Sequence, residues 1–195
     1  MKKVAITGGI ACGKSVILQK LMFSHYVIYS SDAIAHDVLR NEAKEEIINA
    51  FGSFILNDNN EIDRHILSNI VFNNASYLER LNKIVHPYVR KRIEEIIKAN
   101  THLEIIFFEI PLLFESHMED MFDASINIYC DIDIQINRIV ERDNKTPEEA
   151  LKIITSQMGT YERNKRATYA IDNSGDIEET YSKIDKIISE ILSKE

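Results

Sequence analysis

The sequence predicts an α/β protein: a parallel sheet with helices on both faces, and a helical insertion between its second and third strands. Three observations carry this prediction. An apolar run, "KKVAI", leads through the glycine-rich "TGGIACGKS" (7–15) into a second apolar run, which reads as strand, loop and helix. The stretch 33–100 then shows helical spacing with no convincing strand. Beyond it, β-branched and aromatic segments alternate with helical ones to the C-terminus.

Taken in order, "KKVAIT" (2–7) reads as a short buried strand, and Lys14 to Phe23 as the helix behind the glycine loop. "YVIYS" (26–30) reads as a second strand, closed by Ser31 and Asp32 as a helix cap. Apolar residues then recur at helical spacing in "DAIAHDVL", "KEEIINAFGSFI", "RHILSNIVF" and "VRKRIEEIIKA", with breaks expected at the "NDNNE" turn (57–61) and at Pro87. Sheet character returns in "LEIIFFE" (103–109) and "ASINIYC" (124–130). Helical patterns follow at 133–143 and 146–158, the second announced by a Thr146 cap, Pro147 at its first position and the acids Glu148 and Glu149. A fifth strand, "TYAIDN" (168–173), precedes a closing amphipathic helix at 177–193.

Composition bounds the function. A chain of 195 residues with 45% hydrophobic and 28% charged residues can build one substantial core. The longest apolar stretch, "EIIFFEIPLLF", is broken by Glu109 and Pro111 and is too short to span a membrane. No signal peptide is visible, because the first apolar run stops at Gly8. Cys12 and Cys130 lie far apart in the chain without metal-ligand spacing, which argues against a disulfide framework and for a reducing cytoplasm. A net charge of −8 argues against general nucleic-acid binding but permits a small anionic substrate held by a few local cations.

Gly8-Gly9-Ile10-Ala11-Cys12-Gly13-Lys14-Ser15 matches G-x-x-x-x-G-K-[ST] without a gap, in the strand–loop–helix context that this motif requires. Backbone N–H groups of such a loop and of the helix start converge on phosphate oxygens, and glycine allows an approach that a Cβ would block. Lys14 is expected to reach the β- and γ-phosphates, and Ser15 to supply a Mg2+ ligand. A switch GTPase is disfavoured, because "NKTP" (144–147) lacks the aspartate of a guanine reader. A small kinase fits better than a motor, which needs more chain.

Such a kinase needs a base and cations. Asp32, just past the second strand, stands at the carboxyl edge where ligands of parallel sheets bind; it reads either as a general base or as a helix cap. Arg138 and Arg142, one turn apart, share a helix face suited to phosphate oxygens. Arg163, Lys165 and Arg166 form a second group, with a solvated face the simpler reading for the last two; Arg90-Lys91-Arg92 splay around a helix. His86, before Pro87, reads from its residues alone as structural.

Together these segments resemble the dephospho-CoA kinase family. The resemblance rests on "TGGIACGKS" (7–15), "SSDAIAHDV" (30–38), "DRHILSNIVF" (63–72), "IVHPYV" (84–89), "EIPLLFE" (109–115), "QINRIVERD" (135–143), "PEEALKIITSQM" (147–158) and "AIDNSG" (170–175), in order over nearly the whole chain. It implies a P-loop kinase fold with a five-stranded parallel core (1–32, 101–137 and 167–195), a helical region at 33–100 that receives dephospho-CoA, and a lid at 138–166. The implied reaction is ATP-dependent phosphorylation of the ribose 3′-hydroxyl of dephospho-CoA. The implied actors are Asp32 as general base, Lys14 and Arg142 on the transferring group, and Gly8 through Val16 with Arg138, Arg142 and Asn173 around ATP and Mg2+. Arg64 and His86 fall on the substrate side. The enzyme is expected to be a cytoplasmic monomer or small homo-oligomer.

The sequence departs from the family pattern at three places. Ala11-Cys12 stands for the usual Gly-Ser, Ser30 for the first aspartate of D-A-D, and Ala167-Thr168 for Ala-Asp. A methyl at Ala11 is expected to add small strain, and Cys12 reads either as a reactive thiol beside a helix N-terminus or as a small stand-in for serine. The rival functions are another small-molecule kinase or a nucleotide-binding regulator without turnover.

Overall fold

Five short β-branched and aromatic segments pair into one sheet in the computed structural model, which describes residues 1–194. The strands are β1 (Lys2–Gly8), β2 (Ile28–Ser30), β3 (Ile105–Glu109), β4 (Ala124–Tyr129) and β5 (Tyr169–Asp172), in the order β2-β3-β1-β4-β5. Every strand runs parallel to its neighbours, with Val4 opposite Phe107 and Ala124, and Gly8 opposite Ile128. The all-parallel arrangement follows from the helical connections, since a parallel pair cannot be joined by a hairpin. It places the C-terminal ends of β1, β4 and β5 along one edge.

Nine α-helices lie among the described residues: α1 (Lys14–Phe23), α2 (Ser31–Arg40), α3 (Lys44–Phe51), α4 (Arg64–Phe72), α5 (Ala75–Ala99), α6 (Ile132–Asp143), α7 (Pro147–Thr155), α8 (Thr160–Arg166) and α9 (Ile177–Ser193). The chain divides into two compact units: Met1–Tyr29 with the chain from Asn100 onward, and Ser30–Ala99.

In the first unit the sheet is buried on both faces. Alternate residues Val4, Ile6, Phe107, Ile126 and Ile128 pack with Ile17 and Leu21 of α1 and Ile184, Ile188 and Ile191 of α9. The intervening Ala5, Ile106 and Phe108 are equally buried on the opposite face, where Tyr29 stacks on Phe108 with ring centroids 5.7 Å apart. The capping signals at 146–149 do what the sequence predicts: Thr146 Oγ1 accepts the Glu149 N–H, and Glu149 Oε2 accepts the Thr146 N–H.

The second unit is helical, and its centre is α5, which buries Ile84, Val85, Val89 and Ile93 and contacts α2, α3 and α4. Here the structure corrects the expectation of a break at Pro87, which lies inside this 25-residue helix. Proline forfeits one backbone hydrogen bond, but it is exposed, and the buried residues on either side hold both halves of the helix in line. The short helix α8 has no signal in the sequence because "TYERNKR" lacks an apolar period; its one buried residue is an arginine. Among the described residues no helix is long and apolar enough to cross a membrane.

Candidate functional site

The loop between β1 and α1 forms because its glycines allow what side chains forbid. Gly8 (φ 152°) and Gly13 (φ 88°) both occupy conformations unfavourable to L-residues, and a Cβ would strike the Ile128 carbonyl at Gly8 and the Asn173 amide at Gly13. Ala11 adopts φ 58° without that freedom, so the strain expected of its methyl is present in the backbone itself.

Each carbonyl from Gly8 to Gly13 has a hydrogen-bond donor. Lys14 Nζ donates to Gly8 O (2.8 Å) and Gly9 O (3.2 Å), and the Cys12 N–H also reaches Gly9 O (3.4 Å). Gln135 Nε2 donates to Ile10 O (2.8 Å), Arg138 Nη1 to Ala11 O (3.0 Å), and Asn173 Nδ2 to Cys12 O (2.9 Å). The Val16 N–H closes the series on Gly13 O (3.1 Å). A loop whose carbonyls are all engaged, at the start of a helix where the Lys14 and Ser15 N–H groups precede the first intrahelical bonds, is an anion cradle.

Beside the cradle lies a cleft of about 360 Å³ lined by Ala11, Gly13, Ser15, Val16, Arg138, Arg142 and Asn173, together with Gly175 and Ile177. Seven residues expected from sequence at a nucleotide therefore surround one cavity. Gly8, Gly9, Ile10, Cys12 and Lys14 belong to the same loop. Arg142 is exposed, and its guanidinium is engaged by Asp143 through two bonds of 2.8 Å (Nε to Oδ1, Nη2 to Oδ2). That fork holds the Asp143 carboxyl below its ordinary range.

Arg163 corrects the expectation of a phosphate-facing cation. It is 1% exposed and spends its donors on Glu115 Oε1 (2.6 Å), Met158 O (3.0 Å) and Pro111 O (3.2 Å). Arg166 likewise pairs with Glu119, on the outside of the same helix. Gln135 and Gln157 are site residues that sequence reasoning misses, since nothing but chemical identity marks a glutamine on an amphipathic helix or just past one.

Cys12 and Cys130 are distant in sequence and adjacent in space. Both are buried, and the Cys130 thiol donates a hydrogen bond to Cys12. That bond, with the Lys14 and Arg163 charges nearby, lowers Cys12 to about 7 against the opposing effect of burial, and the Cys130 thiol is pushed up. Cys12 thus acts in the loop as a buried small side chain with its sulfur turned to Cys130.

In the helical unit, Asp32 is exposed in the first turn of α2, behind Ser30 at the N-cap position, and Ser30 makes no side-chain capping bond. Arg64 opens α4, which Asp63 caps by accepting the His65 N–H (2.8 Å) and the Ile66 N–H (3.1 Å). Arg64 lines a cavity of about 340 Å³ with His36, Arg40, Asp63 and His65. His86 is half-buried on α5 and is not among the residues lining that cavity.

A family model described as dephospho-CoA kinase (CoaE) matches residues 2–179. A dephospho-CoA kinase of Fusobacterium nucleatum subsp. nucleatum is 39% identical over 189 residues, covering 96% of this chain and 97% of its own. Among solved structures, the dephospho-CoA kinase from Campylobacter jejuni superposes with a TM-score of 0.74 at 32% identity, covering 97% of this chain and 96% of its own. TT1252 from Thermus thermophilus gives a TM-score of 0.81 at 29% identity, with 97% of each chain covered.

Proposed function

The chain belongs to the dephospho-CoA kinase family, and from that premise we propose that it transfers the γ-phosphoryl group of ATP to the ribose 3′-hydroxyl of dephospho-CoA, giving coenzyme A and ADP in the last step of coenzyme A synthesis. The observation that carries this reading at the level of chemistry is the intact cradle from Gly8 to Ser15 with its arginine-lined cleft.

The cradle amides bind the phosphates, and Lys14 meets the charge that spreads over the transferring group. Lys14 Nζ lies against the Gly8 and Gly9 carbonyls, neutral acceptors that a phosphate oxygen outcompetes. Arg138 holds the loop and faces the nucleotide cleft, while Arg142 exchanges Asp143 for phosphate oxygens. Asn173 backs Gly13 and keeps the loop closed on the nucleotide side. Asp32 accepts the proton of the 3′-hydroxyl as it attacks. Arg64 and His86 lie on the acceptor side, Arg64 supplying a cation for the anionic part of dephospho-CoA.

The donor set also suits Mg2+. Ser15 presents an exposed hydroxyl at the edge of the nucleotide cleft, a hard oxygen ligand of the kind this ion accepts alongside phosphate and water. Among the described residues no group of three or more His, Cys, Asp or Glu is placed to hold a metal by itself. Ser15, together with the nucleotide, would hold the ion, which would supply positive charge to offset that of the phosphates. The segment 138–166 serves as the lid, and the cysteine usage supports a cytoplasmic setting.

A coupled assay with ATP, Mg2+ and dephospho-CoA tests the assignment. Acceptor-dependent ADP formation is expected. No ADP beyond a no-acceptor control would overturn it, and turnover with adenosine or shikimate in place of dephospho-CoA would reassign the acceptor.

A further inference from the structure

Ile10 is held from both sides. Its N–H donates to Gln157 Oε1 at 2.9 Å, and its carbonyl accepts from Gln135 Nε2 at 2.8 Å. Gln135 lies on α6 and is 4% exposed; Gln157 follows α7 and is half-buried. Resting on the kinase reading above, we infer that Gln135 and Gln157 are positioning residues for phosphoryl transfer, clamping Ile10 so that the amides after it are turned toward the phosphates.

Peptide geometry gives the clamp its effect. A trans peptide is planar, so its C=O and N–H point in opposite directions. Gln135, by engaging the Ile10 carbonyl, aims the Ala11 N–H the other way. Asn173 does the same for the Gly13 N–H through the Cys12 carbonyl. Gln157 fixes the preceding peptide by its N–H, so Ile10 cannot rotate without breaking one of the two bonds.

The hold matters because the next residue, Ala11, sits at φ 58°, a conformation an L-residue leaves unless its surroundings retain it. Gly9 is part of the device, since a Cβ there would approach Gln135 Nε2 to 3.0 Å and crowd the amide out of place. A neutral amide suits this role because it offers both a donor and an acceptor and adds no charge that would repel or compete for phosphate.

Comparing ligands separates phosphate positioning from folding and from the identity of the acceptor. Gln157→Leu and Gln135→Leu are compared with wild type for ATP and adenosine affinity by calorimetry, and for steady-state turnover with dephospho-CoA. Each Leu variant is expected to bind ATP and to turn over about tenfold more weakly, the effect of one hydrogen bond lost with its backbone partner left unpaired. Adenosine affinity and the KM for dephospho-CoA should stay within about twofold.

Gln135 is buried, so Gln157→Leu decides the matter if Gln135→Leu does not fold. ATP affinity and kcat within about twofold of wild type, or a parallel loss of ATP and adenosine affinity, would overturn the inference. A wild type that binds ATP yet leaves dephospho-CoA unphosphorylated refutes the kinase reading instead, and the ATP–adenosine comparison still tests the clamp.

Discussion

Arg163 Nη2 donates to Glu115 Oε1 at 2.6 Å, and the same carboxylate oxygen accepts the Met158 N–H at 3.3 Å. The pair ties α8 and the turn before it to the segment that follows β3. Burial lowers the guanidinium's pKa and the Glu115 charge opposes this, but arginine keeps its proton throughout the working range. The pair is therefore an ionic fastening whose guanidinium is buried and whose carboxylate is partly exposed.

Removing one partner should be costly. Glu115→Ala strands the buried guanidinium and is expected to destabilise the protein by about 3 kcal/mol, lowering Tm by roughly 6–12 °C for a chain of this size. Replacing both partners with apolar residues, Glu115→Leu with Arg163→Met, should recover much of the loss. A Glu115→Ala Tm within about 2 °C of wild type would show that Arg163 finds other compensation.

At Ala11 a substitution should help instead. At φ 58° its methyl works against the backbone, so Ala11→Gly should stabilise the fold by about 0.5 kcal/mol. The gain is small because glycine also loses more freedom on folding. Denaturant midpoints measure it, and a destabilised Ala11→Gly would mean that the methyl makes contacts outweighing the strain.

The thiol pair gives stability a pH dependence of defined sign. Cys12 ionises more readily in the fold than the ordinary value of 9.0, at about 7, chiefly through the Cys130 hydrogen bond. Its contribution is complete above 9.0, shrinks on acidification and is gone below about 7. Cys130 is shifted the other way, so above the ordinary thiol range its reluctance to ionise lowers stability. Wild type should gain stability between about 7 and 9 relative to Cys12→Ser, measured by denaturant melts across that range. Parallel pH profiles would exclude the thiolate.

Asp32→Asn should lower kcat by about 10²-fold or more while ATP affinity stays near wild type, the signature of a lost base. An unchanged kcat would return Asp32 to the first turn of α2 as a purely structural residue.

Lys14→Ala should reduce kcat by about 10²-fold or more and leave adenosine affinity intact, because its charge acts on phosphoryl oxygens alone. Equal kcat in this variant would contradict the assignment of the loop.

Much of this was determined by sequence alone. The strand–glycine loop–helix, the five β-branched segments and the Thr146–Glu149 capping box rest on neighbours a few residues apart, and local sterics and periodicity are written directly in such neighbours. The tertiary structure decided what depends on meetings between distant segments. It turned Arg163 from a candidate phosphate-facing cation into the buried partner of Glu115, brought Cys130 against Cys12, and let packing on both sides carry α5 through Pro87. It also recruited Gln135 and Gln157 to the two sides of Ile10. A glutamine or cysteine has no periodicity to betray its partner; only the sheet register and helix packing that bring β4, α6 and α7 beside the loop decide which backbone group it meets.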